Sequence, residues 1–87
     1  MKILALPIEM VAYTDNKGSI NPIRFRLQVD DQPMQVIKID KVTEKATEKL
    51  AGNFMIVYKC QSVIDGEEKL YEIKYELGTC RWILYKM

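Results

Sequence analysis

The sequence predicts an all-β domain, either a small antiparallel meander or a partly open SH3-like barrel of five to six strands. Three observations carry that prediction. Apolar runs are short and are punctuated by Gly18, Gly52, Gly66 and Gly78, at places where a chain commonly needs positive φ. The stretch Ile23-Arg24-Phe25-Arg26-Leu27-Gln28-Val29 alternates strictly between apolar and polar, the period of a half-buried strand. Asp65-Gly66 lies between two further runs and is a strong hairpin signal, because a type I′ turn requires positive φ at both central residues.

Length agrees with one domain spanning residues 1–87. A chain of this size buries roughly 60% of the surface its unfolded form exposes. Its core is therefore thin and uses nearly every large apolar side chain. The apolar share of 48% and charged share of 29% are those of a globular domain, which argues against disorder along the whole chain.

In chain order, Leu6 to Tyr13 reads as a first strand, apolar apart from Glu9. Thr14 to Ser19 is a turn by composition. Ile23 to Val29 is the second strand, and Asp30-Asp31-Gln32-Pro33 turns the chain. Met34 to Val42 is the third, with Ile37 and Ile39 inward. Pro7, Pro22 and Pro33 sit at the starts of runs, where a missing N–H costs a sheet least. Thr43 to Asn53 (residues 43–53) is expected to be a short helix or a mobile charged loop. Glu44 to Ala51 are good helix formers ending at Gly52, a suitable C′ residue, but they lack an apolar stripe for packing. Phe54–Val63, Lys69–Leu77 and Cys80–Lys86 are the last three strands, joined at Asp65-Gly66 and at Gly78-Thr79.

Those two turns imply a register. Cys60 faces Tyr71, Tyr58 faces Ile73, Ile56 faces Tyr75, and Phe54 faces Leu77. Across the next turn Tyr75 faces Trp82 and Ile73 faces Leu84. One continuous aromatic and aliphatic face results. On the reverse face Lys59 meets Glu72 and Glu76 meets Arg81, both favourable pairs. A slip of one residue would destroy every one of these matches.

Charge and composition narrow the chemistry. Thirteen basic residues against twelve acidic ones give a formal charge of +1, so long-range attraction to phosphate is weak and tight or sequence-specific DNA binding is not expected. Histidine is absent, which removes Ser-His and Cys-His catalysis and His-ligated metals from consideration. Cys60 and Cys80 cannot complete a zinc site. The register sets them near opposite ends of the core face, on the order of 20 Å apart. A disulfide needs Cα atoms within about 7 Å, so both are expected as buried free thiols. The first residues, Met1 to Glu9, are too short an apolar run for a signal peptide, and no window offers a membrane span. A cytoplasmic protein with reduced thiols is the expectation, with no cofactor, no metal and no membrane partner.

Several side-chain groups are candidate sites. Arg24 and Arg26, with Lys38 and Lys41 nearby, form a candidate nucleic-acid contact, against the plainer reading of a solvated outer face. Tyr58, Tyr71, Tyr75 and Trp82 resemble a base-stacking platform, but the register turns them into the core. Asp30-Asp31 and Glu67-Glu68 lie in or beside turns and read as solvated carboxylates. The reverse face of the last three strands is unusually apolar. Val57, Lys74 and Ile83 fall in one row and Lys59, Glu72 and Tyr85 in the next. Val57, Ile83 and Tyr85 are expected to be hidden, either under Ile3 to Val11 or against a second chain. Lys59, Lys74 and Arg81 would form a polar rim around the contact.

Two passages also carry a resemblance: Pro22-Ile23-Arg24-Phe25-Arg26 followed by Val36 to Val42, and Tyr71 to Lys86. Together they resemble a family of small uncharacterised bacterial β domains that pair an early aromatic-arginine strand with a closing "YEL…GRWYL"-type hairpin. Cys80 stands where a glycine is usual, and Thr43 to Asn53 is an insertion. The resemblance implies an all-β fold and carries no activity with it. Some members lie near genes for DNA-polymerase-like repair proteins, which points toward nucleic-acid processing.

The expected function is therefore a non-enzymatic interaction module, forming a homo-oligomer or docking a protein partner through a β-sheet surface. Its alternative is a nucleic-acid-binding accessory domain. No nucleophile–base pair, metal set or phosphate loop supports an enzyme.

Overall fold

Two adjacent residues of positive φ make the tight turn that suits the twist of a β-hairpin. The chain contains this arrangement twice, at Ala51-Gly52 (φ 52° and 83°) and at Asp65-Gly66 (51° and 79°). The computed structural model describes all 87 residues as seven strands: β1 (Ile3–Thr14), β2 (Ile20–Leu27), β3 (Gln35–Lys38), β4 (Lys41–Leu50), β5 (Asn53–Ile64), β6 (Glu67–Glu76) and β7 (Arg81–Lys86). They form one antiparallel sheet in the order β3-β2-β1-β7-β6-β5-β4, curled into a half-barrel.

The charged stretch 43–53 is neither helix nor loop. It is most of β4 together with the turn into β5, and Gly52 serves that turn rather than a helix end. Pairing with β5, from Lys41↔Gln61 to Leu50↔Asn53, overrides the helix propensity of its residues. The missing apolar stripe has the same origin, because β4 is an edge strand whose side chains are almost all exposed. The run Met34 to Val42 divides at the Ile39-Asp40 corner into β3 and the start of β4. Seven strands result in place of five or six. Ile37 is buried and Ile39 half-buried.

The pairings deduced from the turns are present. Cys60↔Tyr71, Tyr58↔Ile73, Ile56↔Tyr75, Lys59↔Glu72, Tyr75↔Trp82, Ile73↔Leu84 and Glu76↔Arg81 all occur. Leu77 N donates to Phe54 O at 3.1 Å, extending the first hairpin by one contact. Two details differ. A bulge between Glu72 and Ile73 pairs Glu72 with Lys86, so Tyr85 leaves the row of Lys59 and Glu72. The connection between β6 and β7 is a four-residue turn, Leu77 to Cys80, in which Cys80 N donates to Glu76 O at 2.9 Å. Positive φ falls on Cys80 (60°) and not on Gly78. That bend takes Cys80 out of the sheet's alternation, and its side chain is exposed where the register had buried it.

The N-terminal segment is not a lid. β1 pairs edge-on with β7 through Leu6↔Leu84, Pro7↔Ile83 and Ile8↔Trp82, with a bulge near Ala5 (φ 49°). Main-chain pairing satisfies the polar edge that β7 would otherwise leave open, which a segment lying across the face would not do. Alternate residues Leu4, Leu6, Ile8 and Met10 then pack on the core.

The core fills the concave face: Phe25, Leu27, Ile37, Tyr58, Cys60, Tyr71, Ile73 and Leu84. Side chains close the gap between the two ends of the sheet. Tyr58 Oη donates to Ile20 O at 2.7 Å, and Ser62 Oγ donates to Lys38 O at 2.7 Å. Asp40 N donates to Gln61 O at 3.0 Å, while the Asp40 carboxylate accepts from Val63 N at 2.8 Å. Lys45 Nζ reaches Ser19 Oγ at 2.7 Å.

Candidate functional site

Direct cross-strand partners share a face, so the register alone groups the outward side chains. On β4 to β7 and β1 one outward row reads Ala46, Val57, Lys74, Ile83 and Pro7. Val57, Ile83, Tyr85 and Met55 are half-buried there, without any covering segment. Lys74 explains this. It is only 8% exposed, with Nζ 3.8 Å from the Tyr85 ring centroid and 3.2 Å from Glu48 Oε1. The bulge releases Tyr85 from the regular row, and its ring lies beneath the ammonium. The methylene stem of Lys74 stands between Val57 and Ile83 and shields both. Lys74 is thus the centre of this face and not part of its rim. Of the remaining rim candidates, Lys59 is tied to Glu44 at 3.0 Å and Arg81 is exposed.

The outward face of β1, β2 and β3 is different. Its rows are Val11–Arg24–Lys38 and Glu9–Arg26–Val36. On this face Val36 is 63% exposed and Val11 49%, and Tyr13 continues the same side of β1; Ile23, 36% exposed, sits at the β1–β2 irregularity opposite Ile39. Arg26 is committed, since its Nε and Nη2 both donate to Glu9 Oε2, at 2.9 and 2.8 Å. Arg24 and Lys38 lie side by side with no acidic partner. A shallow groove of about 360 Å³ runs between the rows, lined by Glu9, Val11, Arg24, Arg26 and Val36 over the edges of Met10 and Phe25. Three of the four proposed nucleic-acid residues therefore meet here. Lys41 lies apart, on β4 opposite Gln61.

Val11, Ile23 and Val36 were not picked out from the sequence. A signal existed for Val36. It is followed directly by apolar Ile37, and in a strand two neighbours cannot both point inward. The inward place went to Ile37.

The aromatic group on the concave face divides. Tyr58 and Tyr71 are fully buried, while Tyr75 and Trp82 are half-buried with ring centroids 4.6 Å apart. Tyr71 Oη bonds to Ser62 Oγ, which passes its own proton to Lys38 O. Burial pushes the Tyr58 hydroxyl up to about 12 and the Cys60 thiol up to about 12. It raises Tyr71 further, against the opposing effect of its bond to Ser62. These groups are protonated packing elements at neutral pH. Asp30 and Asp31 stay in the turn after β2, and Glu67 pairs with Lys69 at 2.9 Å. Nowhere do three or more His, Cys, Asp or Glu side chains gather as metal ligands would.

No protein-family model, curated protein or solved structure matches this chain.

Proposed function

We propose that the chain is a non-enzymatic interaction module that docks a protein partner through the outward face of β1, β2 and β3. The carrying observation is the company kept by its exposed apolar side chains. Val11 and Val36 flank two cations, Arg24 and Lys38, that have no ion-pair partner within the molecule. Scattered exposed apolar residues need no explanation, but apolar side chains grouped on one face around an arginine are a composition that contact surfaces favour. The β5 to β7 face supports the same assignment by contrast. There Val57 and Ile83 are shielded by Lys74 and Tyr85 and the acids Glu44 and Glu48 are already paired, while the exposed Leu70 and Val63 stand in rows with Gln61 and Glu68.

A nucleic-acid-binding accessory role is the second reading. It is favoured by the adjacency of Arg24 and Lys38 and by the family resemblance of the two strand passages. Photo-crosslinking separates the two. A photoreactive residue placed at Val36, in the protein's native cells, should give a protein adduct that resists nuclease and disappears with Arg24→Glu. The same probe at Ile83 should give none. A cross-link at position 36 that nuclease removes would transfer the assignment to nucleic acid. Absence of any adduct at position 36 would end the docking reading.

A further inference from the structure

Building on that docking face, we infer that its partner is an extended peptide segment that carries a carboxylate and an aliphatic side chain two residues apart, on the same side of the chain. Charge complementarity selects the carboxylates. Arg24 and Lys38 are Cα partners on neighbouring strands, so both heads can reach one carboxylate between them, and nothing in the molecule neutralises either. Arg26 adds no free charge because Glu9 holds it through two hydrogen bonds.

Shape and composition select the aliphatic side chains. The two rows, Val11–Arg24–Lys38 and Glu9–Arg26–Val36, are two residues apart on each strand, about 7 Å. An extended chain repeats its side chains on one side at that same spacing. A carboxylate on the Arg24–Lys38 row then sets the next inward side chain over Val36 and the groove. At about 360 Å³ the groove lies at the low end of the roughly 300–1,000 Å³ typical of ligand sites, and its shallow floor suits side chains better than a whole cofactor.

The other occupants fit less well. A second copy docking face to face about an axis through the Arg24–Lys38 row would set these cations against their own counterparts, an unfavourable like-charge contact, and about an axis between the rows would set them against Arg26. Nucleic acid binds through several phosphate contacts and aromatic stacking. This face offers two unengaged cations flanked by Val11 and Val36, with Tyr13 at its margin. A plain polyanion would use the cations and leave Val11 and Val36 exposed.

The test is an amide chemical-shift titration of the whole chain with a blocked glutamate–leucine peptide of repeat Glu-Ser-Leu-Ser, which sets glutamate and leucine in turn along one side of an extended chain. Polyglutamate, a lysine–leucine peptide of repeat Lys-Ser-Leu-Ser and oligothymidylate serve as comparison probes. Shifts should centre on Val11, Arg24, Val36 and Lys38 for the glutamate–leucine peptide alone. Affinity should fall about tenfold with Arg24→Glu or with Val36→Asp, the scale of losing one well-placed contact residue. The charge-matched control Lys17→Glu, in a turn away from this face, should leave it unchanged. Arg24→Gln gives a milder variant should the charge reversal disturb the fold. Equal binding of polyglutamate would overturn the aliphatic half of the inference, and tighter binding of oligothymidylate at these residues would overturn all of it. No response to the glutamate–leucine peptide alongside a nuclease-resistant adduct at position 36 refutes the partner class while the docking surface stands. Loss of that adduct refutes both.

Discussion

Lys74 shows how one residue can change the character of a surface. A cation at 8% exposure is tolerable only with its charge satisfied, here by Glu48 at 3.2 Å and by the face of Tyr85. Removing one member of a buried pair leaves the other uncompensated, at a cost of about 3–5 kcal/mol for full burial. The Glu48 side chain is 40% exposed, so water replaces part of what is lost. We expect Glu48→Gln to lower stability by about 1–2 kcal/mol in urea unfolding, scaled down from that figure. Adding Lys74→Met should restore most of the loss, since an apolar side chain of similar length fills the same row. The two thiols are also unequal. Cys60 is buried and Cys80 exposed. A thiol reagent should modify Cys80 alone in the native protein and both groups after unfolding in denaturant without reductant. Finding no free thiol after unfolding would contradict the hairpin geometry.

The buried acids set an alkaline limit. Burial raises Cys60 from its ordinary 9.0, and Tyr58 from 10.0, to about 12 in both cases. Above pH 9 the unfolded chain releases these protons while the folded chain still holds them, so unfolding is favoured increasingly up to about pH 12. Their contribution is complete below pH 9. Urea midpoints should therefore show a decline beginning near pH 9, and Cys60→Ala should move its onset toward pH 10, where tyrosine titration begins.

At the scale of elements, β4 shows why local preference is a weak guide. Its residues favour a helix, yet its partner β5 and the Ala51-Gly52 turn make it the first strand of a long hairpin. Being an edge, it carries its own protection. Lys45 and Lys49 face inward, opposite Tyr58 and Phe54, while Glu44 and Glu48 face outward, opposite Lys59 and Met55. An antiparallel twofold contact through this edge keeps each face on its own side, so one register sets Lys45 opposite Lys49 and the neighbouring one sets Glu44 opposite Glu48. Inward-pointing charge is a known defence of exposed edges. The isolated chain should therefore sediment as a monomer. The double variant Lys45→Val with Lys49→Val should associate as concentration rises. A monomeric double variant would show that the edge is blocked by something other than charge.

For the molecule as a whole, the decisive contacts are those that hold the curled sheet shut. Ladder hydrogen bonds do not join the ends of this sheet, so Tyr58, Ser62, Asp40 and Lys45 do. Ser62 has the central position, because it accepts from Tyr71 and donates to Lys38 O in a fully buried site. Ser62→Ala leaves two buried polar groups unpaired, at about 1–3 kcal/mol each. Tyr58→Phe leaves only Ile20 O. Ser62→Ala should therefore lower the urea midpoint more than Tyr58→Phe does, and the reverse order would place closure at the other end of the sheet.

What was legible in the sequence follows from range. Asp65-Gly66 and the apolar alternation beside it are local signals, and they were enough to specify Cys60↔Tyr71, Tyr58↔Ile73 and Tyr75↔Trp82, since adjacent strands joined by a tight turn have few alternatives. The grouping of Arg24 with Arg26 was likewise visible, being one strand face. The tertiary structure alone decided that β1 joins the sheet beside β7, that Lys74 is buried by Glu48 and Tyr85, and that Val11 and Val36 flank Arg24 and Lys38 on an open face. The first joins strands from opposite ends of the chain, the second needs Glu48 two strands away from Lys74, and the third depends on two hairpins sharing β2 in one register. The free energy that selects them comes from closing one core, and no single segment encodes it.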